Sequence, residues 1–218
     1  MELHKLADQT DEDDLLCRIR AGDQTALATM FDRHRGRLEK MVRLRLDCRL
    51  QGRIDPSDVL QESFIDASRR LPEYAANPVM SLFLWLRFLT SQRLQLLHRQ
   101  HFGPTRNPVR EVSLYSGAVP QADSMSLAQQ LLGRLTTPSQ GAIRVEMQLR
   151  VQDALNAMDP IDREVLALRH FEELSNKETA AVLGLQQAAA SNRYVRALGR
   201  LKEILSTIPG LQGMEGGL

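Results

Sequence analysis

Residues 159–205 read DPIDREVLALRHFEELSNKETAAVLGLQQAAASNRYVRALGRLKEIL, and their punctuation decides the fold of this half of the chain. Asp159 offers a side-chain acceptor ahead of Pro160, whose missing N–H costs nothing at a first helical position, so a helix is predicted from Pro160 to about His170. Ser175 and Glu178 have the spacing of a capping box, which starts a short helix over 176–183. Gly184 permits a sharp turn, Leu185 anchors it, and a longer helix follows from about Gln187 to Leu205. On that helix Ala189, Arg193, Arg196 and Arg200 share one face, while Tyr194, Leu198, Leu201 and Leu205 form the packing stripe. A helix, a tight turn and an arginine-bearing helix suit the major groove of DNA. Arginine contacts phosphates or guanine edges there, and small Ala189 and Ala190 allow close approach. A solvated arginine face on a surface helix is the plainer reading of the same residues.

Working outward, the rest of the 218 residues carries helical signals too: few aromatics, no β-branched alternation, and an excess of Leu, Arg, Gln, Ala and Glu. A short helix is expected from about Asp11 to Arg20, stopped by Ala21-Gly22, with Asp23 capping a longer one that reaches about Leu50. Asp55-Pro56 and Asn77-Pro78 repeat the acceptor-then-proline start seen at Asp159-Pro160. The helix from Pro56 should stop before Pro72 and bury Leu60, Phe64, Ala67 and Leu71. The next, about Pro78 to His101, should bury Leu82, Leu86, Leu89 and Leu97 and turn Arg87, Ser91, Gln95, His98 and Arg99 the other way. Arg93 falls near its apolar stripe without a reason visible in the sequence. From Gly103 to Pro138 the periodicity lapses into Gly, Pro, Ser and Thr, with room for a short helix near Ser126–Leu135. Ile143, Met147, Val151, Leu155 and Met158 then form a helical stripe. The expected fold is all-α, two small helical domains joined by a flexible linker, the C-terminal one a helix-turn-helix. The expected boundaries are an acidic tail over 1–14, a first domain over 15–102, a linker over 103–138, a second domain over 139–208 and a flexible tail over 209–218.

The formal charge of +1 argues for no particular partner, but its distribution does. Leu15–Ile54 holds ten basic and four acidic residues, Asp55–Glu73 five acids and two arginines, and Tyr74–Arg110 five arginines and no acid, so faces of opposite sign are segregated. Such segregation suggests more than one macromolecular partner. Two cysteines, Cys17 and Cys48, make neither a disulfide framework nor a cysteine-rich zinc site, and His98 and His101 lack a third ligand, so neither metal nor cofactor is expected. The longest apolar stretch, Leu82–Leu89, is broken by Arg87 and is too short to span a membrane. Met1–Asp14, with six acids and one lysine, has the wrong sign for a signal or transit peptide, and a cytoplasmic protein is expected. With no Gly-rich phosphate loop, Gly-x-Ser-x-Gly or His-Glu-x-x-His, the residues give no support for an enzyme acting on a small-molecule substrate.

The run Asp162-Arg163-Glu164-Val165-Leu166-Ala167-Leu168-Arg169-His170-Phe171-Glu172-Glu173-Leu174-Ser175, then Glu178-Thr179-Ala180-Ala181-Val182-Leu183-Gly184, then Arg193 and Arg196-Ala197, resembles the promoter-binding fourth domain of bacterial RNA polymerase sigma factors of the extracytoplasmic-function group. Asp58-Val59-Leu60-Gln61-Glu62-Ser63-Phe64 and Trp85-Leu86 with the polar, basic helix after it resemble the second domain of the same family. The resemblance implies that Asp58, Gln61, Glu62, Asp66 and Arg69 dock on the clamp coiled coil of the largest subunit of core RNA polymerase. It implies that Tyr74, Trp85, Arg87, Gln95, His98 and Arg99 hold the unstacked minus-ten strand, a task for aromatic surfaces and cations along a single strand. It assigns Lys177, Ala189, Asn192, Arg193, Arg196 and Arg200 to the minus-thirty-five element. Gln92 and Leu96 stand where the family often has Asn and Asp, and Ala189-Ala190-Ser191 where it often has Thr-Val-Lys. An anti-sigma factor is a further implied partner. The alternative is a helix-turn-helix regulator with an N-terminal sensor or dimerisation domain that never replaces a sigma subunit; it would be indifferent to Asp58→Arg or Glu62→Lys.

Overall fold

The computed structural model describes residues 2–102, 121–135 and 141–207, which form helices and the turns between them. The chain divides into two units, Met1–Val42 with Ile54–Thr105, and Arg43–Arg53 with Arg106–Leu218. Among the described residues no helix is long and apolar enough to cross a membrane.

The first unit contains α1 (Glu2–Arg20), α2 (Gln24–Arg45, whose last three residues belong to the second unit), α3 (Pro56–Ala76) and α4 (Leu82–Phe102). Helix α1 starts at Glu2, well ahead of the expected Asp11, so the acidic stretch 2–14 is part of a helix. It ends as expected: Gly22 takes a left-handed φ of 86°, and Asp23 accepts from the N–H groups of Thr25 and Ala26 at 2.8 and 3.1 Å to cap α2. Helix α2 stops at Arg45 rather than near Leu50, because Asp47 accepts from the Arg49 N–H at 2.9 Å and closes a turn there.

Helix α3 runs through Pro72 to Ala76, where the sequence predicted a stop before that proline. Pro72 has no N–H for the carbonyl of Ser68, four residues earlier, and the side-chain amide of Gln24 donates to that oxygen instead at 3.0 Å. Because α3 continues, Asn77 ends a helix instead of starting one, its N–H donating to the Glu73 carbonyl. The start of α4 falls to Ser81, whose hydroxyl accepts from the Leu84 N–H at 3.5 Å.

The first three turns of α4 are buried on nearly every side, from Leu82 to Ser91, with only Phe88 partly open in that run. Two helices enclose it. Tyr74 of α3 stacks on Trp85 with centroids 4.4 Å apart, and from α2 His34 meets Phe83 at 5.0 Å while the Arg37 guanidinium lies 3.7 Å above the same ring. This corrects the expected outward face: Arg87 is 3% exposed and Ser91 1%. Thr90 and Ser91 satisfy their hydroxyls within the helix, donating to Leu86 and Phe88 carbonyls at 2.9 and 2.7 Å. The puzzling Arg93 is explained by tertiary structure, since it pairs with Glu62 of α3 at 2.8 Å.

The second unit contains α5 (Ser124–Leu135), α6 (Gly141–Asn156), α7 (Pro160–Leu166) continuing as a π-helical turn (Ala167–Phe171), α8 (Asn176–Leu183) and α9 (Gln187–Thr207). Within the expected linker, 103–120 and 136–138 lie outside the described residues, as does the expected tail 209–218. Residues 124–135 form a packed helix whose Leu127, Ala128, Leu131 and Leu132 join Met147, Val151, Leu155, Met158, Leu201 and Leu205 in one core. Arg163 ties this core's rim together, donating to Ser124 of α5 at 3.2 Å, to the Leu155 carbonyl and Asn156 of α6 at 3.3 Å, and to Gln121 at 3.2 Å.

Beside that core lies a buried charge cluster. Arg45 is 1% exposed and donates to Glu172 at 2.7 Å and to Glu164 at 2.5 Å, while Glu164 also accepts from the Ala122 N–H at 3.3 Å. Burial pushes the Arg45 guanidinium down, and the two carboxylates outweigh it, holding the group above its ordinary value. The π-helical turn aims Glu172 inward: its N–H reaches back five residues to the Ala167 carbonyl at 2.9 Å, leaving Phe171 and Glu172 both buried.

Two outcomes follow for chemical unfolding. Arg45→Met should cost about 3–5 kcal/mol by stranding a buried carboxylate, and adding Glu172→Gln should recover a substantial part of that loss. Gln24→Ala should cost about 1 kcal/mol in the wild type and nearly nothing in a Pro72→Ala background, where the peptide N–H returns to the Ser68 carbonyl.

Candidate functional site

Two surfaces, one in each unit, carry the residues singled out by the sequence. In the first unit, Asp55 caps α3 by accepting from the Ser57 N–H at 2.8 Å, and the apolar stripe of Val59, Leu60, Ala67 and Leu71 faces inward. This fixes the opposite face. Asp58, Gln61, Glu62 and Arg69 are exposed and Asp66 is half-buried, so the five residues lie along one side of the helix. Gln61 opens onto a shallow cavity of about 290 Å³ shared with Ala28, Phe31, Asp32, Arg35 and Phe64. Its apolar floor is the edge-to-face pair of Phe31 and Phe64, 5.1 Å between centroids. Asp32 and Arg35, which sequence reasoning missed, flank Gln61 from α2; their position beside Ala28 and Phe31 on one helical face was the available signal. The surface is therefore a mixed-charge helix face with an aromatic hollow at its edge.

The residues assigned to a single DNA strand are split by the fold. Tyr74, Trp85 and Arg87 are buried, the first with its hydroxyl donating to the Met80 carbonyl at 3.1 Å and its phenol pushed up by burial. Gln95 and His98 are half-buried and Arg99 is exposed, further along α4. Of the six residues, only that last group presents surface to a ligand.

In the second unit, α8 and α9 are set by local chemistry. The Ser175 hydroxyl accepts from the Glu178 N–H at 3.2 Å, and the Ser175 N–H donates to the Glu178 carboxylate at 2.7 Å, completing the capping box. Gly184 takes φ 64° and the Leu185 N–H returns to the Ala180 carbonyl at 2.9 Å, which turns the chain within a few residues. Asn176 then donates to the Gln187 carbonyl at 2.9 Å, pinning the start of α8 to the start of α9.

Helix α9 buries Ala190, Ala197, Leu201 and Leu205, with Tyr194 and Leu198 partly covered. Ala190 is thus a packing residue, whereas Ala189, Asn192, Arg196 and Arg200 are exposed, as is Lys177 on α8. Arg193 is drawn toward α7, donating to Asp162 at 2.8 Å, and Arg196 lies 3.6 Å from the same carboxylate. The middle of the open face carries Ala188, Asn192 and Val195, the last 67% exposed. Ala188 and Val195 escaped the sequence reading, which followed the arginines and so traced a line along the edge of that face. An uncharged strip bordered by guanidinium groups can meet base edges while the cations meet phosphates.

Residues 148–201, covering α7, α8 and most of α9, match the family model for sigma-70, region 4. The RNA polymerase sigma-E factor of Streptomyces antibioticus is 42% identical over 57 residues, 26% of this chain and 32% of that protein, so the match spans about a third of its length. The ECF RNA polymerase sigma factor SigM of Mycobacterium tuberculosis is 26% identical over 88% of this chain and 83% of its own. Among solved structures, that of CnrH in complex with the cytosolic domain of CnrY matches with a TM-score of 0.53 at 23% identity, covering 90% of this chain and 98% of CnrH, a likeness of fold. The short capped helix, the left-handed glycine turn and most of the long helix fall inside the segment that matches sigma-70, region 4, and over most of its length the chain is similar to RNA polymerase sigma factors of the extracytoplasmic-function group.

Proposed function

We propose that this chain is an initiation specificity subunit: it binds core RNA polymerase, directs it to a two-part promoter and helps to open the DNA through binding energy rather than covalent chemistry, within the cytoplasm where the polymerase works. The observation that carries the reading is the capped α8, glycine turn and arginine-bordered α9 within the segment matching sigma-70, region 4. Lys177, Ala189, Asn192, Arg196 and Arg200 would meet the minus-thirty-five element, with Arg193 at the edge of that face. The exposed side of α3, Asp58, Gln61, Glu62, Asp66 and Arg69, would dock on the clamp coiled coil of the largest subunit, with the hollow at Gln61 receiving an apolar side chain.

The minus-ten strand would be held by Gln95 and His98, which are half-buried, and Arg99, which is exposed. Tyr74, Trp85 and Arg87 would contribute by holding α4 in place, or by becoming exposed when the promoter melts. The relationship to CnrH, which is held by the cytosolic domain of CnrY, supports a protein antagonist for this chain as well, an anti-sigma factor.

The test is co-elution of the purified chain with core RNA polymerase on a sizing column. Asp58→Arg, which reverses charge at an exposed position, should weaken binding at least tenfold, about 1.4 kcal/mol. Glu62→Lys should do the same. Because Glu62 pairs with Arg93, Arg93→Ala serves as the control and should bind normally. Wild-type chain that fails to co-elute, or that ignores Asp58→Arg, would favour the stand-alone regulator. On DNA, Arg196→Gln should flatten the dependence of log affinity on log salt by about 0.9, the signature of one lost phosphate contact.

A further inference from the structure

Helix α9 presents its arginines unequally. Arg196 and Arg200 have side chains 65% exposed, whereas Arg193 is 28% exposed and bonded at 2.8 Å to Asp162, itself only 17% exposed. Asp162 belongs to α7, not to α9, so this ion pair is imposed by tertiary packing rather than by spacing along one helix. Asp159, the cap of α7, adds a second carboxylate 3.9 Å from the same guanidinium nitrogen. Arg200 pairs with Glu203 of its own helix, at 3.5 Å with both partners open to water, a pair that salt screens readily. The half-buried pair is screened less, and a DNA phosphate approaching Arg193 would have to displace or repel Asp162.

We infer that Asp162 is a resident counter-ion for the DNA-facing helix: it withholds Arg193 from the phosphates and thereby lowers the sequence-independent part of DNA binding, leaving the strip of Ala188, Asn192 and Val195 to weigh more in the choice of site. The inference rests on the reading of α9 as the DNA-contacting helix. Each phosphate neutralised adds about 0.9 to the salt slope of binding to B-DNA whatever its sequence. A half-buried arginine hydrogen-bonded inside the protein, as Arg193 is at 2.8 Å, adds nothing to that slope, whereas Arg196, 65% exposed and 3.6 Å from the same carboxylate, stays available to a phosphate. Asp162 therefore acts through Arg193 as a positioning residue, and it sets how strongly non-promoter DNA competes for the chain.

The experiment measures equilibrium binding of the full chain to a fluorescent duplex lacking promoter sequence, between about 50 and 200 mM salt. Asp162→Asn should bind more tightly at low salt and show a slope steeper by about 0.9, so that its affinity falls about 3.5-fold more than the wild type's across that range. Arg193→Gln alone should leave the slope unchanged, and combined with Asp162→Asn it should cancel the gain. Should Asp162→Asn fail to fold, Arg193→Gln still decides: a flattening equal to that of Arg196→Gln places Arg193 among the phosphate contacts and overturns the inference. An Asp162→Asn slope equal to the wild type's overturns it too, while leaving the reading of α9 intact. Wild-type binding that responds neither to salt nor to Arg196→Gln removes the DNA reading of α9, and this inference with it.

Discussion

Arg45 lies beside Glu164 and Glu172 with almost no access to water, and this arrangement constrains the second unit more tightly than any apolar contact does. Moving a guanidinium and a carboxylate out of water costs several kcal/mol each, and their mutual attraction offsets that only when donors and acceptors are aligned. Apolar side chains such as Leu127, Leu131 and Leu155 tolerate small shifts against one another; a buried arginine facing two carboxylates does not. The position of the 43–53 segment, the entry of α7 and the widened π-helical turn must therefore agree with one another for Glu164 and Glu172 to reach the same group. The Ala122 N–H accepted by Glu164 extends the same requirement to the chain leading into α5.

The first unit meets a comparable demand by enclosure. Helix α4 is covered by α2 and α3 over its first three turns, where Thr90 and Ser91 satisfy their hydroxyls on carbonyls of their own helix, as Tyr74 of α3 does on the Met80 carbonyl. One consequence is functional. A chain that buries Trp85 and Arg87 in this way offers its later turns, with Gln95, His98 and Arg99, as the accessible part of the helix. A second consequence is that α3 can stay helical across Pro72, because Gln24 of α2 is in place to satisfy the carbonyl that the proline abandons.

On α9, three tertiary influences sort residues of similar type. Packing claims Ala190 but not Ala189, a carboxylate on α7 claims Arg193 more than Arg196, and the opposite side of the helix leaves Val195 open although it is apolar. The helix that meets DNA in the proposed function is thus narrower in its charged contacts and more apolar at its centre than its run of arginines suggests.

What the sequence determined by itself was local. The capping box of Ser175 and Glu178, the left-handed Gly184, and the caps at Asp23, Asp55 and Asp159 depend on atoms a few residues apart, and the stripes of α6 and α9 depend only on the helical period. These sufficed for an all-helical fold, for the turn between α8 and α9, and for the exposed side of α3. What the tertiary structure alone decided involves partners distant in sequence: helix across Pro72 through Gln24, the loss of the Asn77-Pro78 start, the pairing of Arg93 with Glu62, the burial of Arg87, and the withdrawal of Arg193 by Asp162. A charged side chain on a helical wheel reads as solvent-facing until a second helix supplies its counter-charge or its cover. That information resides in the packing of elements, because burial and ion pairing depend on what comes within a few ångströms and not on the period of one helix.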